Sequence, residues 1–264
     1  MTGSQTPRRL STTTWLIGPS LISPLASSGH GSLMIKLDLE SAFRHIPVRP
    51  EDYHLLGFIW EGLFYYDLVL GFGCRSAPYI FNLFGEALHW IIRRSLPAHI
   101  CHYLDDFLLI FRPGTPSHIV TAALEWCLAL GKQLGLQFQP SKVEGPSTTL
   151  EFLGLELDSI TMEVRLPPAK LEYLVELLDA WDAMSSCTRS QLNELTGFLQ
   201  FTSQVIPTSR AFLRSLYDFS KGFSSRFTQR RIPGPAKKDL RWWKTVAVGW
   251  NGIRFISPKR QGIQ

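Results

Sequence analysis

Short apolar runs separated by turn residues fill the first 166 positions, a pattern typical of strands joined by brief loops and helices. The apolar runs predict strands at 33–39 and 55–59, at 63–70, on both sides of the pair Asp105-Asp106 within 100–111, and at 151–157 and 163–166. Apolar residues three or four positions apart predict helices at 79–94 and 117–134. A glycine-rich loop at 71–78 precedes the first helix. Ser117 is the expected N-cap of the second helix, and Gly135 its end.

After Pro167-Pro168 the spacing of apolar residues becomes helical throughout. Helices are predicted at 169–184, from Thr188 to about 205, and at 237–248. Thr188 and Gln191 have the spacing of a capping box, which would start the second of these helices. The chain is therefore expected to have an α+β fold that continues into a helical C-terminal part.

The polar pair Asp105-Asp106 interrupts an otherwise apolar segment. Two adjacent carboxylates raise each other's pKa, and burial raises it further, so such a pair is unfavourable unless a cation is bound. Two interpretations are open at this point. The pair is a site for a divalent metal ion, or it is an ordinary turn in which aspartate favours the backbone conformation.

Composition narrows the classes of function. A chain of 264 residues that is 45% hydrophobic can bury a sizeable core, which excludes general disorder. No apolar run has the length of a membrane span, so no membrane partner is expected. The four cysteines form no CxxC pair and favour a reducing compartment, cytoplasmic or nuclear, over a zinc site or a disulfide framework.

Charge is distributed unevenly along the chain. From Arg210 onward there are 13 Lys and Arg residues against Asp218 and Asp239, whereas the first 209 residues have 14 basic and 20 acidic residues. A basic C-terminal part behind an acidic body fits binding to a phosphate backbone. A merely solubilising basic surface would give the same counts, so both interpretations stay open.

Asp38 ends the first predicted strand, and Asp105-Asp106 follow 67 positions later. If the two strands are neighbours in one sheet, three carboxylates converge. Such a cluster can hold two magnesium ions roughly 4 Å apart for nucleotidyl transfer. Magnesium prefers oxygen ligands, so the lack of a nearby histidine cluster is consistent with this interpretation. Spacing alone leaves the convergence open.

Five segments resemble the motifs of reverse transcriptases, in the order found in that family. They are Lys36-Leu37-Asp38-Leu39-Glu40-Ser41-Ala42-Phe43, the stretch from Phe72 to Asn82, the Y-x-D-D box Tyr103-Leu104-Asp105-Asp106, Lys142, and Phe152-Leu153-Gly154, which resembles the primer-grip hairpin. The resemblance covers about residues 33–157, and the helical stretch at 168–220 resembles the thumb. It implies a polymerase palm, which is an antiparallel sheet backed by helices, followed by a helical thumb.

The resemblance also implies roles. Two Mg²⁺ ions, with Mn²⁺ as a substitute, would be bound by the catalytic carboxylates and one main-chain carbonyl: Asp38, Asp105, Asp106 and Leu39. The nucleotide would be contacted by Phe43, Phe72, Gly73 and Lys142. Primer or template would be contacted by Tyr103, Arg75, Phe152, Leu153 and Gly154.

Some of these roles have structural alternatives. Phe43 would be a steric gate against a 2′-hydroxyl, or a simple core residue. Lys142 would pair with or protonate the leaving pyrophosphate, or be an ordinary exposed lysine. Arg75 would touch template or form a surface ion pair, and Tyr103 would pack under the primer end or fill the sheet.

Within the family, residues 41–48, 55–58 and 76–78 are most similar to DIRS-type retrotransposons of the tyrosine-recombinase class, with Ty3-like elements as the alternative. Gly71 stands where relatives carry proline. Only 37 residues precede Asp38, and by inspection they do not match the long fingers region of related polymerases. The expected division is a truncated fingers segment at 1–32, a palm at 33–166, a thumb at 167–221, and at 222–264 a basic connection toward an absent ribonuclease H domain.

The resemblance implies an RNA-directed DNA polymerase that adds deoxynucleotides to a primer on an RNA or DNA template. Its partners would include deoxynucleoside triphosphates and the ribonuclease H and recombinase domains of the same element. A second reading is an inactive retrotransposon fragment that retains at most nucleic-acid binding, because the fingers are missing. The ordered motifs argue against a purely structural module.

Overall fold

The computed structural model describes residues 17–206, 208–250 and 254–255. They fall into two compact units, between which the chain passes more than once. The first unit comprises Pro24–Phe152 and Leu157–Met162, and the second comprises Leu153–Glu156, Glu163–Ile256 and the residues before Pro24.

The first unit contains most of the strands. Its elements in chain order are α1 (Ile17–Ser28, whose start belongs to the second unit), β1 (Met34–Asp38), β2 (Gly57–Trp60), β3 (Leu63–Tyr66), α2 (Ala77–Ser95), β4 (Ala98–Tyr103), β5 (Asp106–Phe111), α3 (Ser117–Leu134), β6 (Glu144–Ser147) and β7 (Thr149–Phe152). Four of these strands form one antiparallel sheet in the order β4-β5-β1-β6. This sheet is the scaffold of the unit.

The core lies between this sheet and helices α2 and α3. Ile35 and Leu37 of β1 alternate toward the helices, as a strand with period two requires, and Phe107, Leu109 and Phe111 of β5 do the same. The helices contribute apolar residues at helical spacing: Phe81, Leu88 and Ile92 from α2 and Val120, Ala123 and Cys127 from α3. Asp38 therefore lies at the end of β1 on the face away from these helices.

The hairpin β2–β3 is a separate two-stranded sheet that turns at Glu61 and Gly62, both with left-handed backbone. The sequence predicted this hairpin and its turn, although the strands are shorter than expected. All eight strand residues are exposed, among them Trp60 and Phe64. The hairpin thus exposes large apolar side chains on both of its strands.

The second unit is mainly helical. Its elements are β9 (Glu163–Arg165), α4 (Pro168–Ala183), β10 (Ser186–Thr188), α5 (Arg189–Thr202), α6 (Arg214–Lys221), β11 (Gln229–Arg231), α7 (Gly234–Trp250) and β12 (Arg254–Phe255), while β8 (Leu155–Asp158) begins in it and ends in the first unit. Helix α7 packs along α4, where Lys244 pairs with Asp179 and Asp182 at 2.8 and 3.2 Å. Trp243 of α7 is fully buried and donates a hydrogen bond to the carbonyl of Phe212.

Several helix signals are confirmed. Thr188 and Gln191 form the predicted capping box, and Gly135 ends α3 with a left-handed backbone (φ 70°). Ser117 is the first residue of α3 and not its N-cap. Pro116 takes the N-cap position, because its fixed φ and extended ψ end the preceding loop.

Other elements differ from the sequence prediction. The expected strand at 151–157 is two strands, β7 and β8, because Leu153 and Gly154 both adopt positive φ and reverse the chain. Helix α5 ends at Thr202 rather than near residue 205. Helix α1 and strand β6 are not predicted by the pattern of apolar residues.

In the part of the chain that the structure describes, no helix is long and apolar enough to cross a membrane. The four cysteines all lie in the described ranges, and none of them forms a disulfide bond there. The division into fingers, palm, thumb and connection remains a prediction.

Candidate active site

The pair Asp105-Asp106 lies at the turn between β4 and β5. Leu104 has positive φ (55°), which closes the turn within two residues and leaves Asp106 as the first residue of β5, opposite Tyr103. The carbonyl of Asp105 accepts a hydrogen bond from the N–H of Leu39 at 2.9 Å. The turn is therefore fastened to the end of β1.

The pairing of β1 with β5 brings the acidic residues together. Its register places Asp38 directly opposite Asp106, and Asp105 precedes Asp106 at the tip of the turn. The structure thus places Asp38 and Asp106 opposite each other, with Asp105 at the adjoining turn. We refer to Asp38, Asp105 and Asp106 as the carboxylate cluster.

The carboxylate cluster holds more negative charge than its surroundings favour. Burial, followed by the charges of Asp105 and Asp38, raises the pKa of Asp106 to about 6. Burial is also the main cause that raises the pKa of Asp105. Asp38 is itself buried. A bound cation would relieve this repulsion.

Lys142 supplies the nearest positive charge. Its Nζ donates to both carboxylate oxygens of Asp38 at 3.0 Å, and this hydrogen bond and the charge of Asp38 raise the pKa of Lys142. Lys142 ends a short 3-10 turn, Pro140–Lys142, whose preceding residue Gln139 donates its N–H to the carbonyl of Asp38 at 2.8 Å. The lysine is therefore attached to the strand that carries its partner.

An open cleft with a volume of about 390 Å³ adjoins the cluster. Phe43 lines it, in the 3-10 turn Ala42–His45 that follows Ser41 with positive φ. The Phe43 ring contacts Phe72 and Phe81 edge-on, with ring centroids 5.3 and 5.4 Å apart. The remaining lining residues are Asp38, Leu39, Glu40, Ser41, Ala42, Phe72, Leu104, Asp105, Gln139 and Lys142.

Gly73 follows the lining residue Phe72 and has positive φ (90°), and no atom lies within 4 Å of the position that a Cβ would take. A ligand could approach this backbone closely. Phe43, Phe72, Asp38, Asp105 and Lys142 all line the same cleft. With Leu39, the cleft is lined by six of the eight residues that the resemblance assigns to metal and nucleotide; Asp106 and Gly73 are not among its lining residues.

The residues that the resemblance assigns to primer and template differ in burial, and they belong to different units. Tyr103 is half-buried at the end of β4, and Arg75 is exposed, with no ion-pair partner among the residues that the structure describes. Phe152 is fully buried, which leaves its backbone rather than its ring for contact. Leu153 and Gly154 belong to the second unit. Their roles remain predictions.

Sequence reasoning missed Gly85 of α2. A Cβ on Gly85 would lie 3.1 Å from the carbonyl oxygen of Leu104 and 3.4 Å from the ring of His102. The missing side chain lets the turn that carries Asp105 rest directly on the helix. An isolated glycine in a helical pattern was the one available signal, and it does not identify the partner.

If the chain extends primers, as the motif resemblance implies, Gly85→Ala should slow that reaction roughly tenfold, because the turn must shift by a few tenths of an ångström. Alanine favours a helix over glycine by about 1 kcal/mol, which offsets the strain, so the free energy of unfolding should change little. Gly197→Ala is the matched control. Gly197 lies within α5 with open space around it, so this variant should be more stable and equally active. A Gly85→Ala protein with the wild-type rate would contradict the expectation.

The donor chemistry of the carboxylate cluster fits a divalent metal ion. In the described ranges, no three His, Cys, Asp or Glu side chains are arranged as a ready-made chelate. Even so, the strand register sets Asp106 directly opposite Asp38, so two carboxylates lie close together, and carboxylate oxygens are the ligands that Mg²⁺ prefers. Asp38 would have to exchange Lys142 for the metal ion.

The antiparallel sheet with acidic residues on neighbouring strand ends defines a polymerase-type palm. The family model described as "Reverse transcriptase (RNA-dependent DNA polymerase)" matches residues 3–157, which is more than half of the chain. The chain belongs to the reverse transcriptase family. Because the match begins at residue 3, the residues before Asp38 resemble the family more than the motifs alone indicated.

Curated relatives include viral and retrotransposon proteins. Protein P of duck hepatitis B virus (strain China) is 30% identical over 135 residues, which is 51% of this chain and 17% of that protein. The transposon Tf2-3 polyprotein of Schizosaccharomyces pombe is 26% identical over 224 residues, which is 84% of this chain and 14% of the polyprotein. The chain therefore has retrotransposon homologues, and it spans less than a fifth of the length of these relatives.

Solved structures support the fold. The foamy viral protease–reverse transcriptase in complex with double-stranded DNA has a TM-score of 0.67 and 16% identity, over 92% of this chain and 39% of that one. The structure of that enzyme with an RNA/DNA hybrid has a TM-score of 0.64, also at 16% identity, over 86% of this chain and 28% of that one. The predicted α+β reverse transcriptase fold is confirmed.

Proposed function

We propose that this chain is the polymerase part of a reverse transcriptase, which adds deoxynucleotides to the 3′-hydroxyl of a primer on an RNA or DNA template. The observation that carries the proposal is the strand register that sets Asp38 opposite Asp106, with Asp105 at the adjoining turn. A cleft of nucleotide size lies beside them and is lined by Phe43 and Lys142. The family match supports the same reaction.

Asp38 and Asp105 are the proposed side-chain ligands of two Mg²⁺ ions, with Mn²⁺ as a substitute, and Asp106 completes the cluster. Leu39 would add its carbonyl. Its N–H points at Asp105, and in a strand the N–H and C=O of one residue point to the same side, so that carbonyl also faces the turn. When bound, the ions would lower the pKa of the primer hydroxyl and stabilise charge at the attacked phosphorus.

The cleft residues would select and hold the nucleotide. The ring of Phe43, fixed by Phe72 and Phe81, would leave no room for a 2′-hydroxyl beneath the sugar. The open backbone at Gly73 would admit the base pair, and Lys142 would pair with or protonate the leaving pyrophosphate. Tyr103, Arg75 and the turn at Phe152-Leu153-Gly154 are the proposed contacts to primer and template.

A second candidate function is nucleic-acid binding without polymerisation. It is favoured by the ion pair between Lys142 and Asp38, which occupies a required metal ligand. Exposed cations of the second unit would hold the phosphate backbone; they include Arg226, Arg231, Lys238 and Arg241. This candidate describes a retrotransposon fragment that has lost activity.

We also propose a DIRS-type element as the source, on the strength of Ser41–Val48 and Ser76-Ala77-Pro78. Ribonuclease H and recombinase domains of the same element would then be partners. The relatives described above are viral proteins and a Tf2 polyprotein, so the Ty3-like alternative stays open.

Primer extension on poly(rA)·oligo(dT) with magnesium tests the polymerase directly. We expect incorporation by the whole chain and none by Asp105→Asn, because that variant removes a metal ligand and leaves the turn in place. Failure of the wild-type chain to incorporate nucleotide would reject polymerase activity for this chain.

A salt series tests the second candidate. The logarithm of the affinity for an RNA/DNA duplex, measured by filter binding, should fall linearly with the logarithm of salt concentration, because bound cations release counterions from the phosphates. Exchanging Arg231 and Lys238 for glutamine should reduce the slope by roughly 1 to 2. A flat response would rule out backbone-dominated binding.

A further inference from the structure

Asp38 depends on Lys142 for its neutralisation. The groups that face it are Asp105, Asp106 and Lys142, and only the last is a cation. Lys36 lies on the same strand as Asp38, but it is engaged by Glu144 at 2.5 Å. Within the described part of the first unit, the negative charge of Asp38 is therefore balanced by the ammonium of Lys142, which donates to both oxygens of this carboxylate.

The backbone of Lys142 is held by hydrogen bonds, whereas its side chain is largely exposed. The N–H of Lys142 donates to the carbonyl of Gln139 at 3.0 Å, and Gln139 is itself bonded to the carbonyl of Asp38. The side chain of Lys142 is 58% exposed, whereas that of Asp38 is 10% exposed. The ammonium can consequently leave its partner by rotating about its own side-chain bonds, without movement of the strand.

We propose that Lys142 is a tethered counter-cation that occupies Asp38 in the metal-free protein and must leave when a divalent cation binds there. Both oxygens of Asp38 accept from the ammonium, so a metal ion cannot take the place between these two oxygens while the ion pair is intact. A divalent charge beside Asp38 would also repel the ammonium. The inference deepens the proposed function and rests on it.

The exchange has a consequence for the cleft. Lys142 and Asp38 line the same cavity, so the released ammonium remains within it and can meet an anionic ligand there. Metal binding to Asp38 thus makes a cation available to a triphosphate, and an anion that holds Lys142 makes Asp38 available to metal. The two ligands are coupled through one side chain, in both directions.

Calorimetric titration with Ca²⁺, without nucleotide, tests the exchange apart from catalysis. Lys142→Met should bind Ca²⁺ roughly tenfold more tightly than the wild-type chain, because no cation has to be displaced. Lys142→Arg keeps the charge and should bind like the wild type. Lys132→Met, at an exposed position on α3, is the matched control for loss of a lysine and should also be unchanged.

Asp38→Asn separates failure of this inference from failure of the proposed function. If Asp38→Asn leaves Ca²⁺ affinity unaltered, metal does not bind at Asp38 and the proposed site is wrong. If Asp38→Asn removes binding but Lys142→Met binds no more tightly than the wild type, the counter-cation exchange is overturned and the metal site stands. Tighter binding by Lys142→Met that is lost in the double variant Asp38→Asn/Lys142→Met supports the exchange.

Discussion

Asp106→Asn is expected to lower primer extension by roughly a thousandfold while making the metal-free protein more stable at pH 8. The loss of activity follows from removing one member of the carboxylate cluster, which faces Asp38 in the strand register. The gain in stability follows from removing a half-buried charge whose neighbours are also negative. A residue kept for chemistry at the expense of stability should show both effects together.

The stability difference should depend on pH in a defined direction. The pKa of Asp106 is about 6 in the folded protein, against an ordinary value of 3.8, so the folded state holds this proton more tightly than the unfolded state. The wild type therefore loses stability as the pH rises from about 4 to above 6, and the asparagine variant does not. The difference should be about 1 kcal/mol at pH 8, after allowance for solvent screening, and should vanish below about pH 4.

Urea denaturation in EDTA across this pH range measures the difference. Asp218→Asn is a suitable control, because Asp218 is exposed and its hydrogen bond with Lys221 lowers the pKa. That variant should be no more stable than the wild type at any pH above 4. If Asp106→Asn is less stable than the wild type at pH 8, the charges of the carboxylate cluster do not destabilise the fold. The argument that the cluster requires a cation would then be rejected.

Phe43→Val is expected to increase the use of ribonucleotides relative to deoxynucleotides by roughly a hundredfold. The ring of Phe43 lines the cleft and is held edge-on by Phe72 and Phe81, so its position is fixed before a nucleotide arrives. Valine would leave space beneath the sugar. The ratio of kcat/KM for the two nucleotide classes is the measurement to make, since a general loss of activity cancels in that ratio.

Phe43→Tyr is the control for this prediction, because it keeps an aromatic ring at the same position and should retain discrimination. Loss of each edge-on ring contact costs about 1 kcal/mol, so Phe43→Val should remain folded. If Phe43→Val has the same ratio of kcat/KM values as the wild type, Phe43 is a core residue and not a steric gate. Both variants leave the carboxylate cluster untouched.

The sequence predicted those parts of the site that local pattern determines. A short apolar run ends at Asp38, and a second apolar run is interrupted at Asp105-Asp106, so the strand end and the turn followed from periodicity. The register between β1 and β5 did not follow. A shift by one residue would turn Asp38 to the other face, and only the packing of both strands on α2 and α3 fixes the observed register.

Other features that depend on contacts between residues far apart in the chain could not be predicted from the sequence pattern either. Lys142 was placed by resemblance to a motif, and nothing in its neighbourhood indicated that it binds Asp38, 104 positions earlier. The turn at Leu153 was implied by the resemblance to a primer-grip hairpin but not by the apolar pattern, because this non-glycine residue adopts a left-handed backbone that its type does not favour. In each case the information lies in tertiary packing, which a single sequence does not display.

The exposed hairpin β2–β3 sets a practical limit on all of these measurements. Among the described residues each of its strands pairs only with the other, which leaves one edge of each strand free, and apolar side chains such as Ile59 and Trp60 are exposed. Free edges of this kind pair readily with strands of other molecules. The quantity of chain that can be kept in solution will therefore depend on residues far in sequence from the aspartates, and light scattering as a function of protein concentration should precede every titration.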